Sequence, residues 1–280
     1  MSQAAQRVFL ITGVSSGFGR ALSEAALTAG HTVIGTVRSE AAIAEFEKLH
    51  ADRAHGVVLD VTDFAAIEST IKDIAERVGP IDVLVNNAGY GHEGTLEESP
   101  LDELLRQFNV NVFGAVAMIK AVLASMRVRR TGHIINITSM GGLVALPGIS
   151  YYCGSKFALE GISESLEKEL RGFNIKVTSV SPGSFRTDWA GRSMVRTERS
   201  IDDYDSVFKP IRRARAAKDG KQAGDPAKAA QVLLDIIAND NPPVHLVLGS
   251  DALSLVRDKL SGLQSEIDAW ESVSKSTDFS

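Results

Sequence analysis

A tyrosine and a lysine four residues apart, Tyr152 and Lys156 in the run Tyr151-Tyr152-Cys153-Gly154-Ser155-Lys156, are the side chains of this 280-residue sequence best suited to proton transfer. On a helix, residues i and i+4 share one face. An ammonium beside a phenol favours the phenolate, drawing a tyrosine pKa from about 10 toward the working range of an acid/base catalyst. Alone, such a pair is ordinary helix surface, so its meaning depends on what else the chain supplies. Cys153 reads as helix packing rather than a nucleophile, because no histidine or other base is placed near it in sequence.

A second group suits a dinucleotide. Thr12-Gly13-Val14-Ser15-Ser16-Gly17-Phe18-Gly19 places three glycines at GxxxGxG spacing directly after a strand-like segment. A strand turning sharply into a helix there lets a diphosphate approach bare backbone, with amide donors and the positive end of the helix dipole facing it. An acidic residue about twenty positions past such glycines would hold the ribose 2′-hydroxyl of NAD, whereas an arginine suits a 2′-phosphate. Arg38 occupies that place, so NADP (NADPH) is predicted over NAD, the alternative being an exposed arginine beside Glu40. Asp60, followed by Val61, ends the third strand and could accept from an adenine amino group. Its other reading is a loop or cap acid, for which Asp63 is the better candidate. Asn86-Asn87-Ala88-Gly89 closes the fourth strand, small enough for backbone to approach a ribose, with amides to tie neighbouring strands together.

The elements that must position these groups are legible as an alternation. Nearly continuous apolar, β-branched runs at 7–12, 32–37, 56–59, 82–85, 133–138, 176–180 and 244–248 read as buried parallel strands. Amphipathic stretches at 19–29, 40–49, 64–78, 101–127, 152–172 and 226–238 lie between them. The pattern predicts an α/β fold: a Rossmann-like, doubly wound parallel sheet of about seven strands with helices on both faces, residues 1–280 forming one domain. Ligands of such sheets bind at the carboxyl ends of the strands. Residues 184–223 break the rhythm and read as a substrate lid rich in arginine and lysine. Residues 251–280 form a helical tail with apolar Leu253, Val256, Leu260, Leu263, Ile267 and Trp270, suited to pack on the domain or on a partner subunit.

Composition narrows the function classes. With 44% hydrophobic and 23% charged residues the chain can build a sizeable core, and a net charge of −5 argues against nucleic acid as a partner. The one cysteine excludes a disulfide framework and a cysteine-based zinc cluster, and the six histidines show no ligand spacing, so no metal is expected. The N-terminal residues are polar, without the apolar region of a signal peptide, and no apolar run approaches the ~20 residues of a membrane span. A cytoplasmic protein with no membrane partner is expected.

Taken in order, residues 12–19, Asp60, 86–89, Asn111, Ser139, Tyr152-x-x-x-Lys156, Pro182-Gly183 and Thr187 resemble the short-chain dehydrogenase/reductase family over about residues 7–190. The resemblance implies an NADP-dependent oxidoreductase that interconverts a ketone or aldehyde and an alcohol by hydride transfer. Tyr152 would be the general acid or base; Tyr151 stands five residues from the lysine and does not fit. Lys156 would lower the phenol pKa and bond the nicotinamide ribose. Ser139 would hold the substrate oxygen, with Thr138 the competing hydroxyl, and Asn111 would fix a water leading to solvent, with Asn109 its rival. Pro182 and Gly183 would pass beside the nicotinamide and Thr187 would touch its carboxamide. The alternatives are an NAD-dependent member of the family or a non-catalytic dinucleotide sensor, which would be expected to lose the tyrosine or lysine. Substrate choice would lie in 91–99, 140–150 and 184–223. The apolar 140–150 segment favours an apolar carbonyl, while the basic lid would either steer an acidic group or form a solvated face. A homodimer or homotetramer is expected, through the helices at 101–127 and 152–172.

Overall fold

Strands rich in Val, Ile and Leu need cover on both faces, and parallel pairing with helical crossovers provides it. A computed structural model describes residues 6–279; residues 1–5, which hold most of the polar N-terminal stretch, and residue 280 lie outside it. Its strands are β1 (Val8–Thr12), β2 (Thr32–Val37), β3 (Ala54–Val58), β4 (Val83–Asn86), β5 (Gly91–Glu93), β6 (Gly132–Ile137), β7 (Ile175–Pro182), β8 (Met194–Arg196) and β9 (His245–Leu248). Seven of them form one parallel sheet in the order β3-β2-β1-β4-β6-β7-β9, as the apolar pattern predicts. The order reverses between β1 and β4, which makes their carboxyl ends the place for a ligand.

The helices are α1 (Gly17–Thr28), α2 (Glu40–Glu47), α3 (Phe64–Val78), α4 (Leu101–Phe108), α5 (Ala115–Arg129), α6 (Ser150–Leu170), α7 (Asp205–Ala217), α8 (Pro226–Ala238), α9 (Ser250–Ala269) and α10 (Glu271–Lys275). Alternate strand residues feed two cores. Phe9, Ile11, Val33 and Val85 pack with Leu22 and Ala26 of α1, Phe46 of α2 and Leu233 of α8. Leu10, Ile34, Leu84 and Ile134 pack with Ile67 and Ile71 of α3 and Met118 and Val122 of α5. Local chemistry sets the helix starts: the Asp63 carboxylate caps α3 at Ala66 N, and Asp225 caps α8 ahead of Pro226.

Two expectations change. The helix read over 101–127 is interrupted by a π-helical turn, Asn109–Gly114, which joins α4 to α5. Gly114 in that turn lies against Val61, where a Cβ would come within 2.9 Å of the valine. By length and composition the continuous run Leu101–Arg129 could cross a membrane. Here the inner face of α5 is used on the sheet and the π turn carries buried Asn111. The lid at 184–223 is also structured: β8 pairs in parallel with β5, and α7 follows despite Pro210 inside it.

His133 on β6 is buried, its Nε2 3.0 Å from Thr178 Oγ1. Burial, with Lys176 and Arg7 adding to it, lowers its pKa to about 3. The folded value lies below the ordinary one, so the contribution to stability is complete above about pH 6.5 and is lost as pH falls toward the folded value. Chemical denaturation from pH 7 to pH 4 should show a loss approaching ~1.4 kcal/mol per pH unit from this group. His133→Gln should flatten that limb; an unchanged slope in the variant would rule the residue out as its source.

Candidate functional site

The glycine turn is built by close approaches. Gly13 has φ +71° and Gly17 φ +60°, left-handed values that open α1. A side chain at Gly19 would stand 2.5 Å from Asn87 Nδ2. Thr12 Oγ1 accepts from Asn87 N and Ala88 N, both at 2.9 Å, and Asn87 Nδ2 donates to the carbonyls of Thr12 (2.8 Å) and Gly13 (2.9 Å). The Asn-Asn-Ala-Gly segment thus ties β4 to the turn. Ser16 is the N-cap of α1 but makes no side-chain cap bond, and the first turn holds no acidic residue. The leading amides of α1 therefore have no side-chain cap, and Gly17 at its start lines a cleft of about 510 Å³. Gly17, Arg186, Thr187, Asp188 and Arg192 line it. The Phe18 and Phe185 rings pack on each other with centroids 5.0 Å apart.

Arg38 is exposed just past β2, with no ion-pair partner among the described residues. Asp60 is exposed after β3, and its Oδ1 accepts from Thr62 N (2.8 Å) and Thr62 Oγ1 (2.7 Å). Pro182 ends β7, and Gly183 leaves room for Asp251 of α9, whose Oδ2 accepts from Ser184 N at 2.9 Å.

Tyr152, Lys156, Ser139 and Asn111 come together between Gly89 and Gly141. A Cβ on Gly141 would lie 3.3 Å from Tyr152 Cε1 and 3.4 Å from Ser139 Oγ; one on Gly89 would lie 3.1 Å from Asn111 Oδ1 and 3.6 Å from Lys156 Nζ. The rivals are engaged elsewhere. Tyr151 donates to Ser99 O at 2.8 Å and stacks on His92. Thr138 Oγ1 lies 2.5 Å from Glu160 Oε1 and 2.7 Å from Val180 O. Asn111, turned inward by the π turn, bonds Tyr90 N and O at 3.2 and 3.1 Å and Ser155 Oγ at 3.1 Å. Cys153 is buried, which raises its thiol pKa, consistent with packing.

The expected electrostatics need correction. Burial raises Tyr152 well above the ordinary tyrosine value; the Ser139 hydroxyl acts against it, and Lys156 is not among the causes. Lys156 Nζ instead donates to Ile137 O at 2.9 Å, standing 5.8 Å from the Tyr152 ring centroid. Burial lowers Lys156 itself to about 8, and the Glu160 carboxylate works in the other direction. Spacing foretold the shared face; it could not foretell that both groups leave water.

Glu160 was not singled out by sequence reasoning. One turn after Lys156, it is buried and gathers hydroxyls: Ser181 Oγ donates to Oε1 and Ser179 Oγ to Oε2, each at 2.6 Å, and His245 Nδ1 lies 3.2 Å from Oε2. Its partners stand up to 85 residues away, joined only by the sheet.

Residues 7–197 match the short chain dehydrogenase family. This chain is a short-chain dehydrogenase/reductase. A short-chain dehydrogenase from Streptomyces avermitilis has a solved structure that is 40% identical with a TM-score of 0.91, covering 98% of this chain and 100% of that one. The 3-ketodihydrosphingosine reductase of Bacteroides thetaiotaomicron is 37% identical over 87% of this chain and 88% of that protein. A Burkholderia phymatum family member solved with NAD is 26% identical, with a TM-score of 0.82 over 95% of this chain and 97% of that one. The dehydrogenase is an NAD(P)-dependent oxidoreductase acting on CH–OH or C=O groups.

The lid of this dehydrogenase is held by two buried carboxylates. Glu93 on β5 meets Arg196 (3.4 Å), Arg212 (3.2 Å) and Arg215 (2.5 Å). Glu98 accepts from Arg199 Nε, Ser200 N, Ile201 N and Thr95 Oγ1 at 2.6–2.8 Å. Four of the arginines that read as a ligand-steering or solvated face are therefore engaged by carboxylates, while Arg186 and Arg192 line the cleft and Arg213 is exposed. Burial pushes Glu98 up, but the bonds from Thr95, Ser200, Ile201 and Arg199 outweigh it and hold the carboxyl at about 2. A depressed folded pKa means the clamp is intact above about pH 4.5 and released as pH falls from there toward 2. Glu98→Gln should therefore expose residues 199–217 to protease at pH 7, at least ten times faster than wild type; equal cleavage rates would show that the clamp does not hold the lid.

Proposed function

We propose that this dehydrogenase interconverts an apolar ketone or aldehyde and its alcohol with NADP, Tyr152 acting as general acid in reduction and general base in oxidation. The observation that carries this reading is the convergence of Tyr152, Ser139, Lys156 and Asn111 on the space between Gly89 and Gly141, at the edge where the glycine turn opens. The nicotinamide, when bound, supplies or takes up the hydride. The residues fit such a cofactor on structural grounds, since the amides of α1 lack a side-chain cap and Gly17 at the helix start lines a cleft. Gly13, Ser15, Ser16, Gly17, Phe18 and Gly19 would hold the diphosphate. Asp60 and Val61 would flank the adenine, and Asn87, Ala88 and Gly89 a ribose. Pro182, Gly183 and Thr187 would border the nicotinamide, with Tyr152 and Lys156 at its ribose.

As the carbonyl is reduced, negative charge grows on its oxygen and donors must face it. Ser139 Oγ and the Tyr152 hydroxyl are those donors. Burial keeps Tyr152 protonated at neutral pH, as a proton donor requires. Lys156 is charged below about 8 and would hold the nicotinamide ribose and relay a proton back toward Tyr152. Asn111 would fix a water that returns protons to Lys156. Arg38, unpaired at the end of β2, supports a 2′-phosphate, whereas the Burkholderia relative was solved with NAD. An apolar wall of Leu146, Ile149 and Trp189 packs on Tyr152, and Arg196, Arg199, Arg212 and Arg215 of the lid are taken up by Glu93 and Glu98, while Arg186 and Arg192 line the cleft beside Gly17. The wall favours an apolar carbonyl, in keeping with the keto compound that names the Bacteroides relative. Exposed Leu101, Leu105, Phe113 and Phe157 support a homodimer or homotetramer through that face.

Turnover over a panel of apolar and acidic ketones tests the reading. Tyr152→Phe should lower kcat at least ~100-fold while NADPH still binds; equal turnover would sink the assignment. Arg38→Asp should weaken NADPH at least ~10-fold relative to NADH, a shift of about 1.4 kcal/mol, and a wild-type enzyme that prefers NADH overturns the cofactor reading. Reductive kcat/KM should fall above about pH 8 as Lys156 loses its proton. Glu160→Gln should move that limb to lower pH, because the carboxylate that raises the lysine pKa is gone.

A further inference from the structure

α9 begins on the body of the protein and then leaves it. Ala252 and Val256 are buried, but every residue from Arg257 to Lys275 is exposed. The projecting part is not uniformly polar. Leu253, Val256, Leu260, Leu263, Ile267 and Trp270 follow alternating steps of three and four residues. These are the a and d positions of a heptad, a seam repeating every 3.5 residues and narrower than the stripe of a helix packed on a domain. Leu260, Leu263, Ile267 and Trp270 are between 41% and 64% exposed, so the chain itself leaves the seam uncovered.

The charges beside the seam decide what fits it. At the flanking e and g positions, Arg257 and Lys259 lie in the half nearest the body and Glu266 in the outer half, and Glu271 follows at the start of α10 after the Trp270 cap. A parallel partner would set like against like. An antiparallel copy sets the basic half of each helix against the acidic half of the other, twice, as a twofold axis requires. A lipid surface suits the helix poorly: residues 251–280 carry six carboxylates and three basic side chains, the reverse of an interfacial helix. We infer that the projecting half of α9 pairs antiparallel with the same segment of a second copy of this chain. The inference does not depend on the catalytic reading above. The arm is nonetheless rooted near the site, since Asp251 in its first turn accepts from Ser184 N and lies against Gly183.

Pulsed EPR on the full chain tests it, with nitroxides on Ser265→Cys or Ser272→Cys at outward f positions and buried Cys153 left in place. Each label should give an intermolecular distance. The Ser272 pair, on α10 beyond the Trp270 cap, should be roughly 10 Å or more longer than the Ser265 pair on α9, because it stands seven residues farther from the twofold axis, most of them helical at about 1.5 Å per residue. Leu260→Asp combined with Ile267→Asp should abolish both distances without changing turnover or the circular dichroism of the domain. Equal distances at the two sites, no intermolecular coupling, or coupling that survives the double substitution would overturn the proposal. So would coupling that appears only with vesicles of phosphatidylcholine and phosphatidylglycerol, which would assign the seam to lipid.

Discussion

The burial of Lys156 is the constraint on which the site rests. An ammonium only 5% exposed must find acceptors, because an uncompensated charge out of water costs several kcal/mol. It finds the carbonyl of Ile137 at the end of β6 and the field of Glu160 one turn along α6. Glu160 in turn needs the hydroxyls of Thr138, Ser179 and Ser181, so α6 is tied to both β6 and β7. That fixes the helix in rotation and height. Tyr152, one turn earlier, is thereby set beside Ser139, and Gly89 must stay bare because Lys156 and Asn111 converge on it. The chain of polar contacts continues down the helix through Ser163 to Asn136, and from there to Asn86 on β4.

The lid repeats the device with signs exchanged. There the buried charges are carboxylates, Glu93 and Glu98, and the acceptor-poor guanidinium groups come to them. Such pairs add less to net stability than to uniqueness, since breaking one leaves a charge stranded in the interior. This explains why Arg196, Arg199, Arg212 and Arg215 turn inward to Glu93 and Glu98. Arg199 shows the economy: it serves Glu98 and Asp205 and lies 4.9 Å above the Phe208 ring of α7.

What could be read without coordinates follows from how each feature is encoded. Parallel strands buried on both faces are continuous in apolar character, so all seven strands of the main sheet were visible, as was α3 with its Asp63 cap. The glycine turn and the Tyr152–Lys156 spacing are local, and local chemistry survives in sequence. The π turn is different, because its inserted register leaves the apolar pattern of 101–127 nearly unchanged. β5 and β8, three residues each, are too short to show a period. Thr95 apart, the partners of Glu93 and Glu98 and the hydroxyls around Glu160 lie tens of residues away or more, so neither the clamp nor the buried network has a sequence signature. Burial also reversed the direction expected for Tyr152.

The three segments read separately as substrate-selecting form one layer above the sheet. Gly94 bridges to Ile149 and its amide donates to Gly148 O at 2.9 Å, joining 91–99 to 140–150. Thr197 N donates to Glu93 O at 2.9 Å and β8 runs beside β5, joining 91–99 to the lid. Gly148, at φ +77°, leaves no room for a side chain beneath Phe208, so α7 settles directly on the 140–150 segment. β5 is thus the spine from which the variable half of the pocket hangs, while Lys156 anchors the other half. A substitution in the lid alone can reshape the pocket within limits set by this layer. A substitution in β5 moves residues 184–223 and the 140–150 wall together, because both are hydrogen-bonded to that strand and the turn after it.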